Sequence, residues 1–377
     1  MRFHAFVLFA LASTFVPFAM PTMAVAQSPL FHCVKRTTTL QIPRSTFPSR
    51  QALKGREEEF ATARKLSPAC AQGLVPVAVA FTLKSFSKGN PLIGNDSTNA
   101  AMHAESVGAF IRANLLQPFD KVYWKRADDA ATPIPVRLND PPGCNGVLSF
   151  GSCYYYGNAA YTRLADGGGM TQSIERPHYD DSGGPGHSLN EIAVQGGPDN
   201  GNIVELGWIV SSDQFGDADP HLFIFHWIDW NPTCYNTCGW HQVSSTYYPG
   251  MNLKALVGQK LYIGYVHFKG AWWAWFNDQW LGYIPDSEWA GAYTKNSLIQ
   301  WFGEVSSANG IPPKTAMGNG QFPASSSAAS MQTLCDVDAA AWVCWVRDQQ
   351  VIGATRPAYY DINHPAYGTA RYGGPGT

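Results

Sequence analysis

Charge is what this sequence has least of. Asp, Glu, Lys and Arg together make up 14% of its 377 residues, well below the roughly 25% of an average soluble chain. Long solvated helices need charged faces, so the scarcity argues against an all-helical fold. The formal net charge of −2 gives no broad positive field, which argues against nucleic acid as a partner. Beyond the N-terminus no apolar run is long enough to span a bilayer. Familiar catalytic devices are missing too: there is no G-x-S-x-G, no H-E-x-x-H and no G-x-x-x-x-G-K-[ST]. Asp213-x-x-x-Asp217-x-Asp219 imitates a calcium loop, but Ile224 stands where the closing Glu belongs. Gly183-Gly184-Pro185-Gly186 lacks the strand and helix of a phosphate cradle and reads as a turn. No repeat of fixed period occurs.

What is present is apolar, aromatic and rich in turn formers. Apolar residues make up 45% and aromatics 13%, with 36 Gly and 26 Pro, a composition for short strands joined by tight turns. Strand-like segments at 203–211, 222–229, 259–269, 272–276 and 298–306 are separated by Gly, Pro, Asn and Asp. No long helices alternate with them, so the expectation is an all-β, antiparallel β-sandwich (jelly-roll-like) rather than a parallel α/β sheet. Residues 28–145 differ: they hold most of the Lys/Arg clusters, a helical-looking stretch at 50–66 and a buried strand at 75–83. Pro133, Pro135, Pro141 and Pro142 mark a boundary. At the start, Arg2, an apolar run over 5–20 and Ala24-Val25-Ala26 read as a signal peptide. The expected division is 1–26 signal peptide, 27–146 a smaller α+β region and 147–377 the strand-rich domain.

Eight cysteines fit export. Many connectivities are open; sequence order favours local pairs, Cys33/Cys70, Cys144/Cys153, Cys234/Cys238 and Cys335/Cys344. Cys234 and Cys238 with His226 and His241 form the one metal-like grouping, and in an exported chain a disulfide outweighs it. His221, His226 and His267 read as packing or surface residues. Trp272, Trp273, Trp275 and Trp280 read as core and inter-sheet packing ahead of sugar binding.

The chain has only nine Glu, and two of them interrupt strand-like segments, where Glu is disfavoured. In Ile203-Val204-Glu205-Leu206-Gly207-Trp208-Ile209-Val210, period-2 alternation puts Val204, Leu206, Trp208 and Val210 on a core face and Glu205 on the other. In residues 298–306, Ile299, Trp301 and Val305 share the core face, while Gln300, Glu304 and Ser306 point away. Solvated surface carboxylates are the plain explanation. The sharper one is a cleft floor in which two acids close together cannot both ionise, so that one serves as acid and the other as base.

At these residues the sequence resembles the neprosin family of glutamic peptidases. Val204-Glu205-Leu206-Gly207-Trp208 is similar to the family's first catalytic strand, and Gly303-Glu304-Val305 to its second. Gly216-Asp217, Phe223, Trp227-x-Asp229, Cys234-Tyr235-Asn236-x-x-Cys238, Trp272-Trp273, Gly282-Tyr283-Ile284-Pro285, Met317-Gly318-x-Gly320-x-Phe322-Pro323 and Tyr372-Gly373-Gly374-Pro375-Gly376 follow in the family's order. Cys70-x-x-Gly73-x-Val75-Pro76 resembles its activation peptide. Three features depart from the pattern: Ala71 follows Cys70 where Pro is usual, Phe302 replaces a Gly before Gly303-Glu304, and the link from Asp229 to Cys234 is short. The resemblance implies a secreted (extracellular or periplasmic) peptidase acting on peptide or protein substrates with the pair Glu205 and Glu304, without cofactor or metal. It also implies a pro-region that inhibits until removed in acid, no membrane association after signal cleavage, and a preference in several members for cleavage after proline. Gln300, on the face of Glu304, is a candidate hydrogen-bond donor to the oxyanion or to substrate. The rivals are a sandwich glycoside hydrolase using two carboxylates and a non-catalytic binding protein.

Overall fold

The computed structural model describes residues 31–36, 40–44, 47–48, 66, 68–78, 123–126, 146–149, 152–180, 182, 184, 186–308, 313–348 and 351–377. Its strands are, in chain order, β1 (Phe31–Lys35), β2 (Leu74–Ala78), β3 (Tyr123–Arg126), β4 (Val147–Ser149), β5 (Ser152–Ala165), β6 (Gly167–Ser173), β7 (His187–Gly196), β8 (Asn202–Val210), β9 (His221–Ile228), β10 (Asn231–Pro232), β11 (His241–Gln242), β12 (Lys260–His267), β13 (Ala271–Phe276), β14 (Gln279–Pro285), β15 (Asn296–Ala308), β16 (Ala329–Asp338), β17 (Val343–Val346), β18 (Val351–Ala354), β19 (Asp361–Ala366) and β20 (Thr369–Gly373). The front sheet runs β10-β9-β8-β7-β15-β5-β18-β3, with β4 also on β5. The back sheet runs β11-β14-β13-β12-β6-β16-β20-β19, with β17 on β16. The ladders of both sheets are antiparallel, so the expected all-β antiparallel sandwich is what the chain forms.

Alternation decides which side chains fill the space between the sheets. From β8, Val204, Leu206, Trp208 and Val210 are fully buried there, and from β15, Ile299, Trp301 and Val305. They meet Met170, Leu261, Ile263, Tyr265 and Trp272 of the back sheet. Each large apolar side chain so buried contributes about 1.5–3 kcal/mol, which fixes register, because a one-residue slip would turn the whole stripe to the other face. Tight turns keep the strands antiparallel. Between β13 and β14, Phe276 pairs with Gln279 across a two-residue turn in which Asn277 takes the left-handed conformation at φ 55° that Asn tolerates.

The outer face of the back sheet carries a second apolar cluster, with Tyr262, Val266, Trp273, Trp275 and Trp280. Trp272 belongs to the inter-sheet core instead. Residues 40–44 and 47–48 cover part of that outer face. Phe47 is 2% exposed, with its ring 5.3 Å from that of Tyr262 and 6.0 Å from that of Trp280. Trp280 Nε1 donates to the carbonyl of Arg44 at 2.8 Å. Nearby, β1 pairs with β2, Cys33–Cys70 staples that ladder, and Phe31 packs on Tyr248. β3 pairs with β18 and so extends the front sheet. The helix expected at 50–66 lies outside the described residues apart from residue 66, as does most of the region 27–146 that was expected to be α+β.

Cys33–Cys70, Cys234–Cys238 and Cys335–Cys344 are disulfides, as sequence order suggested. Cys153 is also disulfide-bonded, and its expected partner Cys144 lies outside the described residues. Among the described residues no helix is long and apolar enough to cross a membrane.

Candidate active site

The outer face of the front sheet gathers what alternation turned away from the core. β7 is its middle strand, between β8 and β15. Leu189 and Ala193 of β7, Ile203 and Ile209 of β8, Phe302 of β15, Tyr156 of β5 and Phe223 and Phe225 of β9 form an apolar cluster there. Glu205, Glu304 and Gln300 lie on this face, as the alternation predicted.

The two glutamates are not on neighbouring strands. Glu205 is opposite Ala193 of β7, while Glu304 is opposite Leu189. The row between them holds Gly207, Glu191 and Phe302. Glu191 therefore occupies the midpoint of the diagonal from Glu205 to Glu304. Along an ideal sheet, one strand spacing and a two-residue step put it about 7–8 Å, backbone to backbone, from each.

Each of the outer glutamates has its own partner. Trp227 Nε1 donates to Glu205 Oε1 at 2.8 Å. His187 Nε2 lies 2.5 Å from Glu304 Oε1, and His187 Nδ1 is 3.0 Å from the Ser306 hydroxyl. That second contact fixes the imidazole plane so that Nε2 faces the carboxylate. His187 and Glu304 side chains are 12% and 11% exposed, so their pairing is little screened by water. Gln300 is buried and accepts a hydrogen bond from Gln195 Nε2 on its own Oε1. That orients the Gln300 amide, leaving its N–H donors for another acceptor.

Burial and like charge separate the carboxyls electrically. Burial pushes the Glu205 acid up to about 8; the Trp227 hydrogen bond pulls the other way, and the nearby Glu304 charge pushes up again. Glu191 is held well above the usual carboxylate range, first by burial, then by the charges of Glu205 and Glu304. Burial also raises the phenols of Tyr156 and Tyr235, and the Glu304 charge adds to both. Burial and like charge therefore favour the protonated forms of Glu205 and Glu191 on this floor, beside a Glu304 that is paired with His187.

Aromatic walls line the floor. Tyr156 meets Phe302 edge to face at 5.7 Å, so Phe302 builds the wall beside Glu304. Tyr235 packs on Phe225 at 4.8 Å from the loop clamped by Cys234–Cys238. With those two cysteines joined, the metal-like grouping is absent. Among the described residues no group of three or more His, Cys, Asp or Glu is placed to hold a metal ion. Of the histidines read as packing residues, His221 and His226 are buried and His267 bonds Asp286.

Sequence reasoning missed Glu191, His187 and the donor role of Trp227. The alternation of residues 187–196 carried the first two: Ile192 and Val194 face the core, which sends His187, Leu189, Glu191 and Ala193 to the other side.

A family model described as Neprosin matches residues 185–375, just over half of the chain. No curated protein matches. Similar solved structures include a scytalido-glutamic peptidase with a transition state analog inhibitor, at 8% identity and TM-score 0.33, covering 58% of this chain and 97% of that one. Another is SCP-B, a member of the Eqolisin family of peptidases in complex with a tripeptide, at 9% identity and TM-score 0.27, covering 58% and 96%. A homodimeric agglutinin from chicken liver follows at 13% identity and TM-score 0.24, covering 40% and 99%. These structural likenesses are too distant to bear on function.

Proposed function

This chain belongs to the neprosin family of glutamic peptidases, and from that premise we propose that it hydrolyses peptide bonds in acid with Glu205 and Glu304 as its catalytic pair. The observation that carries the reading is the unequal surroundings of the two carboxyls on one sheet face: Glu205 is half-buried and takes a hydrogen bond from Trp227, while Glu304 is paired with His187. Glu304 takes a proton from water as that water attacks the scissile carbonyl carbon. Glu205 gives its proton to the departing amide nitrogen. The Gln300 amide, oriented by Gln195, donates to the developing oxyanion, an interaction of the kind worth about 3–4 kcal/mol in a transition state.

The assignment needs a protonated Glu205, a state that burial favours below about pH 8, and activity in acid is compatible with it. The aromatic walls of Tyr156, Phe302 and Tyr235 suit an apolar or prolyl residue beside the cut bond, in keeping with cleavage after proline. The disulfides support secretion, with residues 1–26 as the signal peptide. Residues 27–146 serve as the inhibitory pro-region, anchored through Leu40, Ile42, Arg44 and Phe47 on the face of the sandwich away from the glutamates.

The test is digestion of a proteome-derived peptide mixture at pH 3–5, with cut sites read by mass spectrometry. New cleavages that vanish in both Glu205→Gln and Glu304→Gln, each folded by circular dichroism, are expected. Full activity in either variant refutes the pair. Processing of the 377-residue chain in acid, absent from the same variants, is the expected sign of self-activation.

A further inference from the structure

The pair leaves a third carboxyl without an assignment. Glu191 is 3% exposed, and no Lys or Arg acts on its charge among the described residues. It stands midway between Glu205 and Glu304 on the intervening strand. A buried acid with no cation beside it costs stability, and a surface position would have served packing equally well. The neighbouring strand makes room for it. A Cβ at Gly207, directly across from Glu191, would meet Glu191 Cβ at 2.8 Å and the Asn190 carbonyl oxygen at 2.0 Å. Phe302 closes the row on the other side.

The proposed hydrolysis leaves the outer carboxyls in the wrong states for another round. After cleavage Glu304 holds the proton taken from water, and Glu205 is an anion, its proton now in the N–H of the released amine. One proton has to leave Glu304 and one has to reach Glu205, and Glu191 bisects the diagonal between them. We propose that Glu191 is the proton-relay residue of this site, accepting the Glu304 proton on one carboxyl oxygen while releasing its own proton from the other oxygen to Glu205, directly or through water. Atoms and charge balance: Glu304 ends as the carboxylate paired with His187, and Glu191 and Glu205 end as neutral acids. The inference rests on the proposed pair Glu205 and Glu304.

The groups that face Glu191 are compatible with this traffic. They are Glu205 from β8, Glu304 from β15, the raised phenols of Tyr156 and Tyr235 over the front face, and Tyr265 from behind the sheet. His187, on the strand of Glu191, is engaged by Glu304 and Ser306. The phenols stay protonated throughout the acid range, so only the carboxyls exchange protons there.

The test compares Glu191→Gln with wild type on a quenched fluorogenic peptide built on a site cut in the proteome digest, using the acid-processed full chain. Gln keeps shape and burial but cannot pass a proton. The first turnover, read by rapid mixing, is expected near the wild-type rate, while steady-state kcat falls 10-fold or more with KM little changed. The pH profile of kcat should flatten, since bulk water must then return the proton. In Glu191→Ala, added formate fills the vacated space and is expected to restore steady-state turnover. Equal losses in the first and later turnovers, an unchanged kcat and pH profile, or no rescue by formate overturn the relay. If Glu191→Gln behaves as wild type while Glu205→Gln and Glu304→Gln are dead, the pair stands and only the relay fails. An inactive wild type defeats the peptidase reading itself.

Discussion

Replacing Glu205 by Gln should change how stability depends on pH more than it changes stability in acid. The Glu205 acid rises from an ordinary 4.5 to about 8, chiefly through burial. Between those values the folded protein holds a proton that the unfolded chain has released. Stability therefore falls as pH rises through this window, and the contribution is complete below about pH 4.5 and gone above about pH 8. At full effect the shift corresponds to about 5 kcal/mol. The side chain keeps partial contact with solvent, which screens its charge, so about 2–3 kcal/mol is the working figure. Gln is neutral at every pH and can still accept the Trp227 hydrogen bond through its own carbonyl oxygen. Urea midpoints at pH 4.5, 6 and 8 should thus converge in acid and separate towards pH 8, with Glu205→Gln the more stable. Glu191 still titrates in the variant and keeps some slope, so the difference between the two proteins is the quantity to read. Parallel curves across the window would show that burial does not hold the Glu205 proton, and the assignment of Glu205 as acid would go with it.

Three other perturbations report on separate parts of the argument. Trp227→Phe removes the hydrogen bond that favours the charged form of Glu205; the alkaline limb of the kcat/KM profile should move to higher pH, by up to about one unit. Gly207→Ala forces a methyl group against the Asn190 carbonyl and Glu191, and should cost about 1–3 kcal/mol in urea unfolding while lowering kcat. Phe47→Ala empties the socket formed by Tyr262, Trp275 and Trp280; a loss of about 3 kcal/mol should appear as faster clipping of residues 40–48 by an added protease, with the sandwich itself intact.

The sandwich was legible because alternation is a strong signal wherever one face of a strand is buried. Val204, Leu206, Trp208 and Val210 could not be read any other way, and the same reading turned Glu205 and Glu304 to the opposite side. Alternation gives the face of a side chain and nothing about which strand lies next to which. Residues 205 and 304 were expected to meet directly, yet β7 separates them, a fact held in the pairing of Ala193 with Glu205 and of Leu189 with Glu304. Strand order follows from how the two sheets close over their shared core, which is a property of the whole chain.

The same limit explains why Glu191 went unread, and why it matters. Taken alone, Ser188-Leu189-Asn190-Glu191-Ile192-Ala193-Val194 is a mild strand with polar residues on both faces: Ser188 and Asn190 turn inwards with Ile192, and both are buried. Asn190 is anchored there by its side-chain amide, which donates to the Phe302 carbonyl at 2.9 Å. That bond ties β7 to β15 in the row of Glu191 and holds the backbone beneath the carboxyl in place. A loosely held strand would let a buried acid swing out to water; a strand pinned by an inward amide keeps it between two others. The apolar stripe thus builds the sandwich, and the inward-facing Asn190 adds a side-chain tie to the two ladders that hold β7, so Asn190→Ala should loosen the line of carboxyls without dissolving the fold: hydrogen exchange at β7 amides is expected to speed up while the front sheet's outer strands keep their protection.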